Sequence, residues 1–365
     1  MIHLIDITFH TNTEYADTDA LLKAQQVSLF YVDAVKNRLQ IEVIKHVSPT
    51  TIITEKRNFR FFTGRNSRGH IPKETIAHLR LAKPQVVIVQ GLSFPLQVIR
   101  LKMIFRRKTK IIAWHHAEQP PAFPKRILYK LADLCISKYF FTSKDNAKEW
   151  INTAIISGPE KIIELPPTLT VFSKRGVTAC KKETGMENGI HYLWVGRLHA
   201  VKDPLTVIEA FGKFAGAHTD ATLHMIFQTG ELLEELERSC KNNNQIILHG
   251  AVANAELETW YSAADFCISS SLREAGSVTI LEAMACGCIP IVSAIPASLK
   301  VTGDGAHGLN FPAGDVDGLA DALIRSTQID RAFFSAQVRR FFTKEFSVPA
   351  VADKLVAACE LLARE

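Results

Sequence analysis

Residues 273–293, REAGSVTILEAMACGCIPIVS, decide the fold class because they complete a strand, turn, helix and strand. The apolar segment DFCISSS (265–271) precedes them, and they end in a second apolar run, CIPIVS (288–293). This order is the repeating unit of a parallel α/β sheet. Its turn leaves free backbone N–H groups at a helix N-terminus, a position that favours a phosphate.

Two carboxylates, Glu274 and Glu282, stand eight residues apart in this unit. Glu282 falls about two helical turns beyond Glu274, on roughly the same side. Carboxylates beside an anion site are suited to accepting hydrogen bonds from hydroxyls, and a nucleotide sugar offers both a diphosphate and many hydroxyls. The alternative is that Glu282 pairs with a buried cation or is a charge on a helix face.

A second segment, YLWVGRLHAVKDPLTVIEAF (192–211), has a related organisation. A buried-looking strand is followed by Arg197, then Lys202, then a helix that begins near Asp203. Arginine offers a planar fork of donors and lysine a compact charge, and both suit a diphosphate. The ends of parallel strands share one sheet edge, where α/β proteins bind their ligands.

The two segments together resemble the E-x7-E and G-R-L-x-x-x-K motifs of retaining glycosyltransferases with the GT-B fold, most closely glycosyltransferase family 4 (group 1). This resemblance implies an α/β fold of two Rossmann-like, doubly wound parallel-sheet domains that face a central cleft. It extends over about 190–330 and is faint over 1–170.

The resemblance also implies roles for the matching residues. Arg197 and Lys202 are expected to bind the donor diphosphate, Glu282 the ribose hydroxyls, and Glu274 the transferring sugar, where it is the catalytic carboxylate. Backbone groups are expected to contact the phosphates at Ser277, Val278 and Thr279, and the base, uracil or guanine, at Ala251 and Val252.

In the first half, IIAWHHAEQP (111–120) ends a strand with two histidines. In similar enzymes a histidine after this strand lies near the sugar. His115 matches that place better than His116, by one residue of register, and is the second predicted catalytic residue. Glu118 is a further candidate. The alternative for His115 is a histidine satisfied by its own loop.

The resemblance predicts no cofactor and no metal, because the two cations can neutralise the leaving phosphate. The D-x-D at Asp17–Asp19 opens a predicted helix, where aspartate is a favoured cap. Similar proteins carry a Gly-Gly loop after the first strand, whereas this chain has HTNTEYADTDALL (10–22). The close approach of backbone to phosphate that glycines allow is therefore not expected there.

Alternating apolar and amphipathic segments predict two parallel-sheet domains. We predict an acceptor-binding domain over 1–168, a donor-binding domain over 169–345, and a C-terminal helix over 346–365 that crosses back to the first domain. The turn-rich stretch 166–189 predicts a linker with an irregular lead-in. Predicted strands lie near 2–8, 40–47, 85–90, 110–114, 139–142, 191–196, 221–227, 245–249, 265–270 and 288–293.

Charge is unevenly distributed along the 365 residues. Residues 1–170 carry 25 Lys and Arg against 14 Asp and Glu, a net of +11, and the remainder carries 18 against 23, a net of −5. Basic stretches with interleaved apolar residues, above all 94–110, predict docking on an anionic membrane surface, the alternative being solvated helix faces. Nucleic acid is not an expected partner, since no recognition motif accompanies the charge.

No apolar run reaches the ~18 residues of a membrane span, and no signal-peptide pattern precedes the first strand. The seven cysteines form no zinc motif and suit buried thiols. We therefore expect a cytoplasmic protein, peripheral at the inner membrane face.

These observations predict a glycosyltransferase (EC 2.4) that moves a sugar from a UDP- or GDP-linked donor to a saccharide or lipid-linked saccharide. Two alternatives stay open. GT-B folds also host nucleotide-sugar epimerases, and the missing Gly-Gly loop leaves room for a non-catalytic sugar-nucleotide-binding subunit. The sequence does not identify the sugar, the base, the acceptor or the linkage.

Overall fold

A computed structural model describes residues 1–64, 69–105, 108–116, 118–165, 170–228, 230–241, 243–274, 276 and 278–364, with only the backbone described at 26–28. The chain divides into two compact units. Unit 1 comprises Met1–Leu169 and Val348–Glu365, and unit 2 comprises Thr170–Ser347. None of the described helices is both long and apolar enough to cross a membrane.

Unit 1 is built on a parallel sheet. Its elements are β1 (Ile2–Asn12), α1 (Thr18–Ala24), α2 (Gln26–Val35), β2 (Leu39–Val47), β3 (Phe59–Thr63), α3 (Lys73–Ala82), β4 (Val86–Gln90), α4 (Pro95–Phe105), β5 (Lys110–Trp114), α5 (Lys125–Asp133), β6 (Lys138–Phe141), α6 (Lys144–Asn152), β7 (Ile162–Glu164) and, at the end of the chain, α15 (Val348–Arg364). In the described residues these strands form one seven-stranded sheet in the order β3-β2-β1-β4-β5-β6-β7.

Unit 2 repeats this architecture with a second parallel sheet. Its elements are α7 (Val177–Thr184), β8 (Ile190–Arg197), α8 (Pro204–Ala215), β9 (Ala221–Gln228), α9 (Leu233–Cys240), β10 (Ile246–Gly250), α10 (Leu257–Ala263), β11 (Phe266–Ser269), α11 (Val278–Cys286), β12 (Ile289–Ser293), α12 (Pro296–Val301), β13 (Leu309–Phe311), α13 (Val316–Ser326) and α14 (Arg331–Glu345). The described strands are ordered β10-β9-β8-β11-β12-β13.

The central strands are apolar because helices cover both faces of each sheet. All four residues from Val86 to Val89 are buried, as is the whole of β11. In unit 1, one core forms under α4, α5 and α6, and a second forms on the other face under α2 and α15. This is the doubly wound arrangement that the sequence predicts.

The structure corrects the sequence prediction in several short elements. The stretch 166–189 is not irregular throughout, because α7 lies within it and buries Cys180, while Met186 just beyond joins the same core. The prediction also missed α12 and three strands of three to five residues: β3, β7 and β13. Residues 166–169 of the predicted linker lie outside the described residues.

The C-terminal helix α15 packs within unit 1. Leu355 and Leu362 are fully buried on its apolar side, in the core shared with α2, β1 and β4. Arg38, just after α2, forms an ion pair with Asp353 on α15. Unit 1 therefore gains part of its core from residues that follow unit 2 in sequence.

We predict that Leu355→Ala lowers the free energy of unfolding of unit 1 by about 2–5 kcal/mol, the usual cost of such a buried truncation. Denaturation followed by fluorescence measures it in a Trp194→Phe/Trp260→Phe background, where Trp114 and Trp150 report on unit 1 alone. Leu361→Ala is the control, since Leu361 is 53% exposed on the same helix and should change stability by less than about 0.5 kcal/mol. Equal losses of stability in Leu355→Ala and Leu361→Ala would contradict the packing described for α15.

Candidate active site

An ion pair joins the two motif segments at the carboxyl edge of the unit 2 sheet. Because β8 and β11 are neighbours in that sheet, the loops that follow them lie side by side. Lys202 Nζ donates to Glu274 Oε1 at 2.7 Å, and the Ser271 hydroxyl donates to the same oxygen at 2.5 Å. The side chains of Lys202 and Glu274 are 26% and 8% exposed, so the pair is largely shielded from water.

Serines after β11 hold the two loops together. The Ser270 hydroxyl donates to the carbonyl of Lys202 at 2.7 Å and accepts from the Trp194 indole N–H at 3.2 Å. The Leu272 N–H donates to the Val201 carbonyl at 2.8 Å. Sequence reasoning did not select these serines, although a serine run directly after a buried strand was a visible signal.

The position of Lys202 follows from the backbone around it. It ends a 3-10 turn, Ala200–Lys202, whose start is capped by the His199 ring through the Val201 N–H at 3.2 Å. Asp203 then adopts a left-handed conformation with φ 49°, and Pro204 begins α8. Pro at the first position of a helix is favoured because its missing N–H has no partner to lose there.

Arg197 is the last residue of β8 and is exposed. Among the described residues, no carboxylate forms an ion pair with its guanidinium. Its five N–H donors therefore remain available to an anion.

Glu282 lies in the second turn of α11 and is 5% exposed. Burial raises the pKa of its carboxyl from an ordinary 4.5 to about 7, and the neighbouring Tyr261 hydroxyl counteracts part of this effect. No hydrogen bond or ion pair joins Glu282 to the Lys202–Glu274 pair within the described residues. A buried carboxylate with so little compensation is suited to accept hydrogen bonds from a ligand.

The other predicted donor contacts lie at two loops of unit 2. Val278 and Thr279 are the first two residues of α11, and Ser277 lies outside the described residues. Ala251 and Val252 follow β10 and Gly250, whose φ of +71° is the left-handed conformation that glycine favours. Ala251 is exposed, whereas Val252 packs partly on the core near Tyr261.

In unit 1, His115 is buried within an aromatic cluster. Its ring stacks on Phe141 at 4.4 Å between centroids and meets Trp150 edge-on at 6.3 Å. Nε2 donates to the Glu118 carbonyl at 3.0 Å, while Nδ1 is buried with no partner among the described residues. Burial lowers the pKa of His115, so the ring is neutral near pH 7.

His116 lies at the end of a polar chain that begins inside unit 1. Its Nε2 donates to Gln90 Oε1 at 2.6 Å, and Gln90 Nε2 donates to Asp6 Oδ2 at 2.6 Å. Glu118 fixes the loop by accepting the backbone N–H groups of Leu92 at 2.8 Å and His116 at 2.7 Å. His116 is exposed, unlike His115. Sequence reasoning missed Asp6 and Gln90, because a polar residue within an apolar strand does not reveal its partner.

The described residues contain no group of three or more His, Cys, Asp or Glu placed to hold a metal ion. The D-x-D at residues 17–19 has the capping role that the sequence suggested: Asp17 caps α1 through the Ala20 N–H at 2.7 Å, and Asp19 pairs with Lys56 at 2.8 Å.

We predict that Glu282→Gln stabilises the ligand-free protein more at pH 8 than at pH 5. A carboxyl whose pKa is raised on folding costs nothing below its unfolded value and an increasing amount as pH rises from 4.5 to about 7. The difference between variant and wild type should grow by about 2–3 kcal/mol between the two pH values. Chemical denaturation of unit 2 measures it. A difference independent of pH would show that the carboxyl is not desolvated.

A sequence model of the family described as "Glycosyl transferases group 1" matches residues 189–328. The chain is 24% identical over 217 residues to "D-inositol 3-phosphate glycosyltransferase" of Kribbella flavida, covering 56% of this chain and 51% of the relative. It is 28% identical over 159 residues to "N-acetyl-alpha-D-glucosaminyl L-malate synthase" of Bacillus anthracis, covering 42% and 41%. The chain thus spans about half the length of these relatives or less.

Among solved structures, the chain is similar to sucrose-phosphate synthase from Thermosynechococcus elongatus, with a TM-score of 0.71, 16% identity and full coverage of both chains. It is also similar to HepE from Anabaena in complex with UDP, with a TM-score of 0.73, 15% identity and coverage of 99% and 100%. These likenesses and the two parallel sheets confirm the predicted GT-B fold. Residues 189–328 are therefore similar to the group 1 glycosyl transferases, in a chain whose two α/β units have the GT-B fold.

Proposed function

We propose that the protein is a retaining glycosyltransferase that moves a sugar from a UDP- or GDP-linked donor to a saccharide or lipid-linked saccharide. The observation that carries this proposal is the Lys202–Glu274 pair, in which a cation and a carboxylate from two motif segments meet at the carboxyl edge of one sheet. The UDP bound by the structurally similar HepE supports the class of donor.

The cations have a catalytic role in this proposal. When the bond between the anomeric carbon and the phosphate oxygen breaks, negative charge grows on the leaving diphosphate. Lys202 gives one N–H to Glu274, and among the described residues its other two N–H groups have no partner and are available to a ligand. Arg197 adds its fork of donors. Cations already fixed in place stabilise that developing charge more than the ground state.

The two carboxylates have different roles. Glu274 receives both of its side-chain hydrogen bonds on Oε1, and in the described residues its Oε2 has no hydrogen-bond partner. Oε2 is therefore available to orient sugar hydroxyls and to offset positive charge at the anomeric carbon. Glu282 accepts the ribose hydroxyls, the Val278 and Thr279 backbone faces the phosphates, and the Ala251–Val252 loop reads the base.

We assign the histidines of unit 1 to the sugar and the acceptor. His115 is the proposed catalytic histidine because its buried Nδ1 has no partner among the described residues. His116 is the alternative, because the residue is exposed and Gln90 orients its ring. Measurement of kcat for His115→Ala and His116→Ala decides between them. The variant with the larger loss of kcat identifies the residue that contacts substrate.

The proposed function predicts separate effects on nucleotide binding and on turnover. Arg197→Gln and Lys202→Gln should weaken UDP or GDP binding about ten- to a hundredfold, since a charge-assisted hydrogen bond contributes roughly 1.5–3 kcal/mol. Glu282→Ala should also lose nucleotide affinity, whereas Glu274→Gln should lose mainly kcat. Calorimetry with the bare nucleotides separates the two effects.

The control is Lys213→Gln, because Lys213 also forms an ion pair in unit 2, with Asp317 at 2.8 Å, but on the surface. If Lys202→Gln bound UDP or GDP with wild-type affinity, the assignment of the phosphate site would be wrong.

NMR of the reaction product should show that the transferred sugar keeps the anomeric configuration of the donor. Free sugar isomers formed without an acceptor would favour an epimerase, and nucleotide binding without turnover would favour a non-catalytic subunit.

We also propose that turnover needs no divalent metal, because Arg197 and Lys202 can neutralise the leaving group. Activity should be unchanged in EDTA. If activity were lost in EDTA and recovered on addition of magnesium or manganese, this proposal would be contradicted.

We propose that unit 1 docks on an anionic membrane surface. The docking face is on α5 rather than on residues 94–110. Of the apolar residues between Phe94 and Phe105, most pack on the unit 1 core, and Arg106 and Arg107 lie outside the described residues. Along α5 and its flanks, large apolar side chains spaced four, four and three residues apart are exposed: Phe123, Ile127, Leu131 and Leu134. Exposed Lys125 and Lys130 accompany them.

A basic helix with an exposed apolar stripe suits shallow insertion among anionic headgroups. We therefore predict that wild type sediments with anionic liposomes at low salt, and that Ile127→Ser/Leu131→Ser does not. The control is Ile324→Ser, which changes an exposed apolar residue of unit 2. Equal sedimentation of the two variants, or binding to neutral liposomes alone, would contradict this docking face.

A further inference from the structure

A cavity of about 490 Å³ opens in unit 2 at the edge opposite the candidate active site. Asp265 and Ile289, which stand where β11 and β12 begin, lie in its wall, whereas Lys202 and Glu274 follow the other ends of β8 and β11. Its volume is within the range of small-molecule sites. None of the residues proposed for sugar transfer lines it.

Three cations and two carboxylates, Asp265 and Asp330, line this cavity, so positive charge is in excess. Arg331 Nη1 lies 3.2 Å from Asp265 Oδ1, and Lys181 Nζ lies 3.8 Å from Asp265 Oδ2. The same Oδ2 also accepts the His191 N–H at 3.0 Å. One carboxylate therefore serves two cations and a backbone donor, and at 3.8 Å the Lys181 ammonium is not hydrogen-bonded to it.

Lys174 is the third cation, and among the described residues it has no carboxylate partner. Its ammonium donates to the Ser335 hydroxyl at 3.2 Å, and Ser335 in turn donates to the Gly287 carbonyl at 2.6 Å. Burial, and then the positive charge of Arg339, lower the pKa of Lys174. An ammonium held between a neutral hydroxyl and another cation lacks the anion that would compensate it.

The remaining walls are compatible with an anion. Asp330 is also part of the lining, but it caps α14 by accepting the Phe333 N–H at 3.1 Å. Val177, the first residue of α7, faces the cavity, and Gly176 before it provides no side-chain cap. The first N–H groups of that eight-residue helix are thus not used by a cap, which adds positive potential at the wall.

We propose that this cavity binds a small phosphate-bearing anion through Lys174, Lys181 and Arg331, independently of the nucleotide site. Three donors around one pocket suit the three terminal oxygens of a phosphate better than the two of a carboxylate. The apolar floor at Ile289 leaves room for an organic group attached to the phosphate.

Calorimetric titration of the full chain with inorganic phosphate and with a hexose 6-phosphate tests the proposal. Lys174→Gln and Arg331→Gln should each weaken binding about tenfold, the effect of removing one charge-assisted contact. Lys213→Gln and Lys202→Gln should leave this affinity unchanged. Lys174→Gln breaks no ion pair in the described residues, so its melting temperature should stay close to that of wild type and confirm that it is folded.

The Lys202→Gln arm separates this inference from the proposed function. Loss of phosphate binding in Lys202→Gln but not in Lys174→Gln would place the anion at the nucleotide site and overturn the cavity assignment. The absence of any binding heat in a titration with millimolar phosphate would also overturn the cavity assignment. Acetate that binds as tightly as phosphate would contradict the ligand class. None of these results depends on whether the chain transfers a sugar.

Discussion

The ion pair between Lys202 and Glu274 is the contact on which the candidate site depends. It joins the loops after two adjacent strands, and Ser271 holds the same carboxylate oxygen. Because Glu274 is 8% exposed, removal of its cation would leave a poorly solvated charge, a change that in buried pairs costs about 3–5 kcal/mol. The same pair therefore joins the loops and, in the proposed function, supplies a cation and a carboxylate to the substrate.

Local packing explains how the backbone brings these groups so close. The carbonyl of Leu198, in the loop after β8, faces Gly230, where any Cβ would collide with it. The indole N–H of the buried Trp194 donates to the Ser270 hydroxyl, and that hydroxyl donates to the Lys202 carbonyl. The polar loops are thus anchored to the apolar core of unit 2. This rigid support fits a site in which preorganised charges, rather than moving parts, stabilise a leaving group.

Sequence reasoning located the groups that the topology brings to one sheet edge and missed the polar contacts made from within apolar strands. Lys202 and Glu274 could be predicted because both follow strands of one parallel sheet. The chain from Asp6 through Gln90 to His116 could not, since Asp6 and Gln90 lie in apolar strands, where the sequence does not show which residue a polar side chain contacts. The three missed strands are short sheet members, and α7 has eight residues in a turn-rich stretch, so their periodicity is too brief to recognise. The proposed roles of all these site residues remain predictions: Arg197, Lys202, Glu274, Glu282 and His115.

The most direct test of the central claim is a crystal structure of the protein with UDP or GDP bound. The account predicts phosphate oxygens within about 3 Å of Lys202 Nζ and the Arg197 guanidinium, a hydrogen-bond distance, with the ribose hydroxyls on Glu282. A nucleotide bound elsewhere, or phosphates directed away from Lys202 while its pair with Glu274 stays closed, would contradict it.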